Sequence, residues 1–162
     1  MTEALRDTWR TPLWAVRLLE ARLGVPFDLD VAADAENAKA PRYYTRHDDA
    51  LSLPWTCTAG FGNPPFSRLG EFVDRAIRAH EAHEAEVGFG LVTLADISTR
   101  YWATLERHGA ERIRIAGRWS CESPDATVAS SSARMPMALW VLQHPLTVER
   151  AKMLYGGPHV RR

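Results

Sequence analysis

Apolar positions recur along this chain with two periods in turn, and the alternation predicts its architecture. Leu13, Val16, Leu19 and Leu23 stand at helical spacing between Thr11-Pro12 and Gly24. Thr11 can cap, Pro12 loses nothing at a first helical position, and Gly24 suits a left-handed stop. Phe27-Asp28-Leu29-Asp30-Val31 alternates apolar and acidic residues as a short strand. Ala35 to Ala40 reads as a short helix stopped by Pro41, and Trp55 to Phe61 as a broad apolar strand. The clearest helix begins at Ser67, with Leu69, Phe72, Val73, Ala76 and Ile77 on one face and Glu71, Asp74, Arg75 and Arg78 on the other. Gly88 and Gly90 flank the next strand, Phe89 to Ala95, which is apolar enough to be covered on both sides. Ser98 caps a helix carrying Tyr101, Trp102 and Leu105, and Gly109 closes it. Glu111 to Ala116 reads as a half-buried strand, Met137 to Leu142 as the last one, and His144 to Tyr155 as a final helix. Between them, 117–134 is polar, serine-rich and without periodicity, as in a lid, a binding loop or a disordered piece.

Strands and helices that alternate in this way predict an α/β fold, an open sheet with helices on its faces. If the early strands are parallel, Asp30, the pair Asp48-Asp49 and Asn63 gather along one rim. Ligands bind at the carboxyl ends of strands in such sheets. An acidic residue there can accept hydrogen bonds from a ribose or an amine, and Ala32-Ala33 permits close approach. The same pattern also describes an ordinary strand with a solvated acidic edge.

Composition narrows the classes. At 162 residues, 46% hydrophobic and 25% charged, the chain fits one soluble domain spanning 1–162. No membrane span or signal segment is expected, and Cys57 and Cys121 form no Cys-x-x-Cys spacing, which fits a reducing cytoplasm. His47 beside two carboxylates has no second histidine near it in sequence, so no metal site is expected, and His80 and His83 read as a solvated face. Net charge is zero, so contact with nucleic acid must rest on local clusters. Arg112 and Arg114 share one strand face by even spacing, with Arg118 just beyond and a flexible loop from Ser120 to Ser132. These can meet phosphate, or the arginines can pair with glutamates such as Glu111.

The chemistry centres on Asn63-Pro64-Pro65-Phe66. Two prolines fix φ, remove two N–H donors and push Asn63 out of the α region. A stiff loop results, with the Asn63 amide, free carbonyls and an aromatic ring in fixed relation. Such a set suits a planar substrate bearing an amino group, for example an extruded adenine or cytosine. The same run also serves as a plain turn, with Phe66 folded onto the core.

With these residues assembled, the chain resembles the phage-type DNA N-6-adenine-methyltransferases, the small Dam-like enzymes. The matching pieces stand in order: Trp9-Arg10-Thr11-Pro12, Phe27 to Ala33, Asn37-Ala38-Lys39, Tyr43-Tyr44-Thr45, Asp48 to Leu51, Trp55, Asn63 to Ser67, Leu94-Ala95-Asp96, Ser98-Thr99, Trp102 and Ile115 to Arg118. They cover roughly residues 9 to 143. The resemblance implies a Rossmann-like methyltransferase fold, a compact mixed sheet flanked by helices, that uses S-adenosyl-L-methionine to methylate adenine N6 in double-stranded DNA. It implies that Thr11 and Pro12 close over the methionine end of the cofactor. Asp30, with Ala32 beside it, is implied as the first cofactor motif, and Asp48 or Asp49 as the acid near the adenosine. Asn63 to Phe66 is implied as the catalytic loop, with Phe66 stacked on the base. Two departures stand out: a longer stretch, Thr56 to Gly62, before the catalytic motif, and Trp119-Ser120-Cys121-Glu122 after Gly117-Arg118. No separate target-recognition domain is expected, which leaves choice of site to the late loop or to a second subunit of a homodimer. Transfer to cytosine N4, to an RNA base or to a protein glutamine uses the same geometry, and a catalytically inactive DNA-binding decoy would keep the same fold.

Overall fold

The computed structural model describes residues 7–117, 119, 121–122 and 136–145. Helix α1 runs Leu13–Leu23, starting one residue later than a Thr11 cap with Pro12 as first helical residue would have it. Pro12, not Thr11, is its cap residue, and the Pro12 carbonyl accepts the Ala15 and Val16 N–H groups at 3.1 and 3.3 Å. Thr11 instead turns its side chain away from the helix end and into the interior. Gly24 ends the helix with φ 78°, a conformation that carries a strain penalty for a residue with a Cβ.

The chain then lays down β1 (Leu29–Asp30), β2 (Arg42–Tyr43) and β3 (Cys57–Gly62). A 3₁₀ turn, Phe66–Arg68, leads into α2 (Leu69–Glu81), and β4 (Ala85–Leu94), α3 (Arg100–Arg107), β5 (Glu111–Ile113) and β6 (Met137–Gln143) follow. Ala35 to Ala40 forms turns rather than a helix, and Glu111 to Ala116 yields only three strand residues. The six strands form one mixed sheet in the order β2-β1-β3-β4-β6-β5. The pairs β2–β1, β1–β3 and β3–β4 are parallel, and β6 runs antiparallel to both neighbours. Thr56 to Gly62, the long stretch before the catalytic motif, is thus mostly strand. The helix expected over His144 to Tyr155 lies almost wholly outside the described residues.

Each face of the sheet is covered. Ala15, Val16, Leu19 and Leu23 of α1 pack with Phe27, Phe61 and Leu139 on one side, while α2 and α3 pack with Trp55, Phe89 and Trp140 on the other. Gly88 and Gly90 do not flank β4 but lie inside it. A Cβ on Gly90 would stand 2.6 Å from the Phe27 ring, and one on Gly60 would stand 2.4 Å from the Phe89 ring. These glycines make room for aromatic rings pressed on the strands, a use that hydrophobic periodicity does not register. The buried Arg75 donates to Glu84 at 2.8 Å and to the Leu53 carbonyl at 2.9 Å, which ties the loop before β3 to α2.

Candidate active site

Because β1, β2, β3 and β4 are parallel, their carboxyl ends share one rim, and the chain changes sides of the sheet between β1 and β3. A cavity of about 680 Å³ opens there. Of the residues singled out from the sequence, Thr11, Asp30, Ala32, Asp48, Asp49, Asn63 and Pro65 line it. Pro12, Pro64 and Phe66 are not on its wall. Pro12 and Pro64 are buried, and the 3₁₀ turn folds the Phe66 ring back against the α1-side core.

β3 delivers Asn63 to the rim, and the two prolines after it keep it from continuing as strand or helix. Its Nδ2–H donates to the Trp9 carbonyl at 2.7 Å. A carbonyl can only accept, so this bond settles the orientation of the amide. The Asn63 Oδ1 atom is buried and finds no hydrogen-bond partner among the described residues. Residues 7–11 cross the site as a strap. Asp7 accepts from the Ser67 N–H and hydroxyl at 3.2 and 2.7 Å, and Arg10 exchanges both backbone hydrogen bonds with Glu122 at 2.8 and 2.7 Å.

Asp30 ends β1 with a side chain only 2% of the residue exposed. Its two oxygens accept the Ala32 and Lys39 N–H groups at 3.1 and 2.9 Å, which pins the turn between them along the cavity. Burial pushes its carboxyl up to about 6, against the opposing pull of those two N–H groups. Burial likewise holds the Lys39 ammonium below its ordinary range, offset in part by the Asp30 charge. Lys39 Nζ donates to Asn37 Oδ1 at 2.6 Å. Asp48 is exposed at the edge, where the Thr45 hydroxyl and N–H, at 2.7 and 2.8 Å, hold its carboxyl below the usual range. Asp49 accepts from the Ser52 hydroxyl. Neither cysteine is a nucleophile, since burial pushes both thiols up to about 12.

Sequence reasoning quoted Trp9 to Pro12 and Asn37 to Lys39 among the family's pieces but gave no role to two cations of the wall, Arg10 and Lys39. Lys39 carried one signal, being one of two lysines among the chain's twenty Lys and Arg residues. The arginines of β5 divide. Arg112 stacks over the Trp102 ring at 5.4 Å, while β5 ends before Arg114, so the even spacing does not hold the two on one strand face. Glu111 pairs with Arg22 of α1, and among the described residues Arg114 makes no ion pair. Arg118, Ser120 and Ser132 lie outside the described residues.

The sequence profile of the family described as "DNA N-6-adenine-methyltransferase (Dam)" matches residues 1–158. The chain is 34% identical over 114 residues to a DNA N-6-adenine-methyltransferase of Escherichia phage T1, covering 70% of this chain and 46% of that protein. It is 30% identical over 110 residues to a DNA N-6-adenine-methyltransferase of Haemophilus phage HP1 (strain HP1c1), covering 68% and 62%. The match thus spans less than two thirds of the length of either phage protein. With the profile running over nearly its whole length, the chain belongs to the DNA N-6-adenine-methyltransferase (Dam) family.

Proposed function

We propose that this protein transfers a methyl group from S-adenosylmethionine to the N6 amine of an adenine turned out of duplex DNA, on a Rossmann-like sheet, in the cytoplasm of its host cell. The observation that carries the reading is the Asn63 amide. Its N–H is committed to Trp9, and its oxygen is a buried acceptor with no donor, at the switch point of a mostly parallel sheet. Leaving such an acceptor unpaired costs on the order of 1–3 kcal/mol, and an amine hydrogen would relieve that cost.

The wall suits the cofactor. Its volume, about 680 Å³, lies within the range of small-molecule sites. Ala32 and Ala33 leave room for a ring, and Asp30 supplies a carboxylate on the wall. Lys39 offers a partner to a carboxylate, as does Arg10, which now pairs with Asp34 at 3.6 Å and Glu36 at 3.5 Å. When bound, S-adenosylmethionine supplies a methyl group already activated on a sulfonium. Thr11 and Pro12, in and just behind the strap, close over its methionine end, and Asp48 or Asp49 accepts from its adenosine.

The chain's own work is alignment and charge. The Asn63 oxygen, turned by the Trp9 bond to its own amide nitrogen, accepts one amine hydrogen while the Pro64 carbonyl accepts the other. Both acceptors favour a pyramidal, nucleophilic nitrogen and stabilise the positive charge that grows on it. The double-proline loop holds nitrogen, methyl and sulfur in line. The proton leaves to solvent afterwards, so no strong general base is needed. Arg112 and Arg114 supply phosphate contacts to the duplex.

Offering the labelled cofactor to duplex DNA, tRNA and host protein side by side tests this. N6-methyladenine should form in the DNA alone. Label in N4-methylcytosine, in tRNA or in protein would overturn the assignment.

A further inference from the structure

Three of the five large apolar side chains left exposed among the described residues lie on α1: Leu13 at 62%, Trp14 at 47% and Leu18 at 37%. None of them holds the core, because α1 meets the sheet through Ala15, Val16, Leu19 and Leu23. An amphipathic helix ordinarily carries polar residues at such positions. Leu13 and Trp14 follow Thr11, which lines the cavity, by two and three residues and stand beside its wall without lining it. The Trp14 indole is steadied edge-on by Trp119, with ring centroids 5.3 Å apart and planes at 75°.

Charge completes the surface. Gly62 is level with Leu91, and Val92 pairs with Leu139, which pairs with Ile113. Arg114 therefore leaves β5 at about the height of Asn63, about 14 Å away across three strand spacings. A shallow depression lined by Leu18, Arg22, Glu111, Arg112 and Arg114 joins the helix to that strand, with Arg22 and Glu111 paired in it. An apolar pair beside the cavity wall, with Arg114 at about the level of Asn63, matches a duplex: bases at the centre, phosphate at the flank.

We propose that Leu13 and Trp14 are the wedge that enters the duplex where the adenine leaves it, lying against the bases that border the gap. This rests on the reading of an extruded adenine given above. Wedges of this kind offset unstacking with new apolar contact.

The test uses the full chain, a duplex carrying the site mapped from its methylated product, and the same duplex with an abasic position opposite the target. Leu13→Ser and Trp14→Ala should slow methylation of the paired duplex by about an order of magnitude, weaken the fluorescence rise of 2-aminopurine at the target position, and leave cofactor affinity unchanged. The abasic partner should restore the rate, since its target base is already unpaired, and Leu13→Met should behave as wild type. The Leu13→Ser melting temperature should not move, because that side chain is exposed, and Trp14→Ala should lower it only by the loss of the Trp119 contact, equally with either duplex. Equal losses on the two duplexes, or no loss, would overturn the wedge. So would sedimentation showing a wild-type dimer that Trp14→Ala dissociates with no change in the 2-aminopurine signal. A wild-type chain that methylates no DNA would instead sink the proposed function, and the wedge with it.

Discussion

Asn63 and Trp9, 54 positions apart, are joined by a hydrogen bond of 2.7 Å that spends the amide's donor on a backbone carbonyl. Its consequence is an oxygen with one open role. Asn63→Ala should abolish methyl transfer by removing the acceptor for the target amine, while changing cofactor affinity by no more than a few-fold, because the strap keeps its bonds from Asp7 to Ser67 and from Arg10 to Glu122. Calorimetry with S-adenosylmethionine beside a turnover assay decides it, and an active variant removes Asn63 from the chemistry.

Asp30 predicts a pH dependence. Its carboxyl is raised from 3.8 to about 6, so the stability it contributes is full below 3.8 and is lost as pH rises through about 6. A cationic ligand favours the charged form, so cofactor affinity should rise as pH passes upward through about 6. Asp30→Asn should weaken binding by roughly 1.5–3 kcal/mol and flatten that profile. Calorimetry in buffers of different ionisation enthalpy would detect the proton released. A steep profile retained by Asp30→Asn would assign the titration to another group.

At the far end of the sheet, His80 stacks on His144 at 3.9 Å, and His144 on His83 at 4.2 Å. His108, which also faces His80, pairs with Glu81 at 3.1 Å. Burial first, then the neighbouring imidazoles, pushes His80 down from 6.5 to about 4. The unfolded chain thus takes up this proton first, and stability present above 6.5 should decline as pH falls toward about 4. His80→Phe keeps a ring in the stack and should flatten the melting temperature across that window. An unchanged acid slope would place the titration elsewhere.

Arg114 and Arg112 should differ in DNA binding. Arg114→Ala should lower the slope of log affinity against log salt by about 0.9, the value for one phosphate contact, equally on cognate and scrambled duplexes. Arg112→Ala should lower the slope less, since Arg112 is already engaged with Trp102. Titrations across a salt series give both values, and a wild-type slope for Arg114→Ala would move the phosphate grip to another surface.

What could be read in advance was whatever repeats or punctuates. The face of α2, the strand that delivers Asn63 and the convergence of Asp30, Asp48, Asp49 and Asn63 on one rim all followed from period and proline chemistry. β2 was missed because Arg42 and Tyr43 are exposed and too few to show a pattern. Gly90 was read as punctuation because nothing local announces that Phe27 lies over it. The strap's anchoring escaped, though its Thr11 had been implied at the cofactor, because its bonds, Asp7 to Ser67 and Trp9 to Asn63, join distant positions through single polar atoms. Asp30 was legible as an acid at a strand end, yet its hold on Ala32 and Lys39 was not. Phe66 lay open between two readings, and its contacts follow the turn.

The paired backbone bonds between Arg10 and Glu122 have an effect at a distance from themselves. They tie the strap over the cavity to the segment that leads away from β5 toward the serine-rich stretch. On the proposed function, a shift of one would be felt by the other, and occupancy of the cavity and grip on the duplex would be linked equilibria. Linkage is reciprocal: whatever factor the cofactor adds to the affinity for DNA, DNA must add to the affinity for the cofactor.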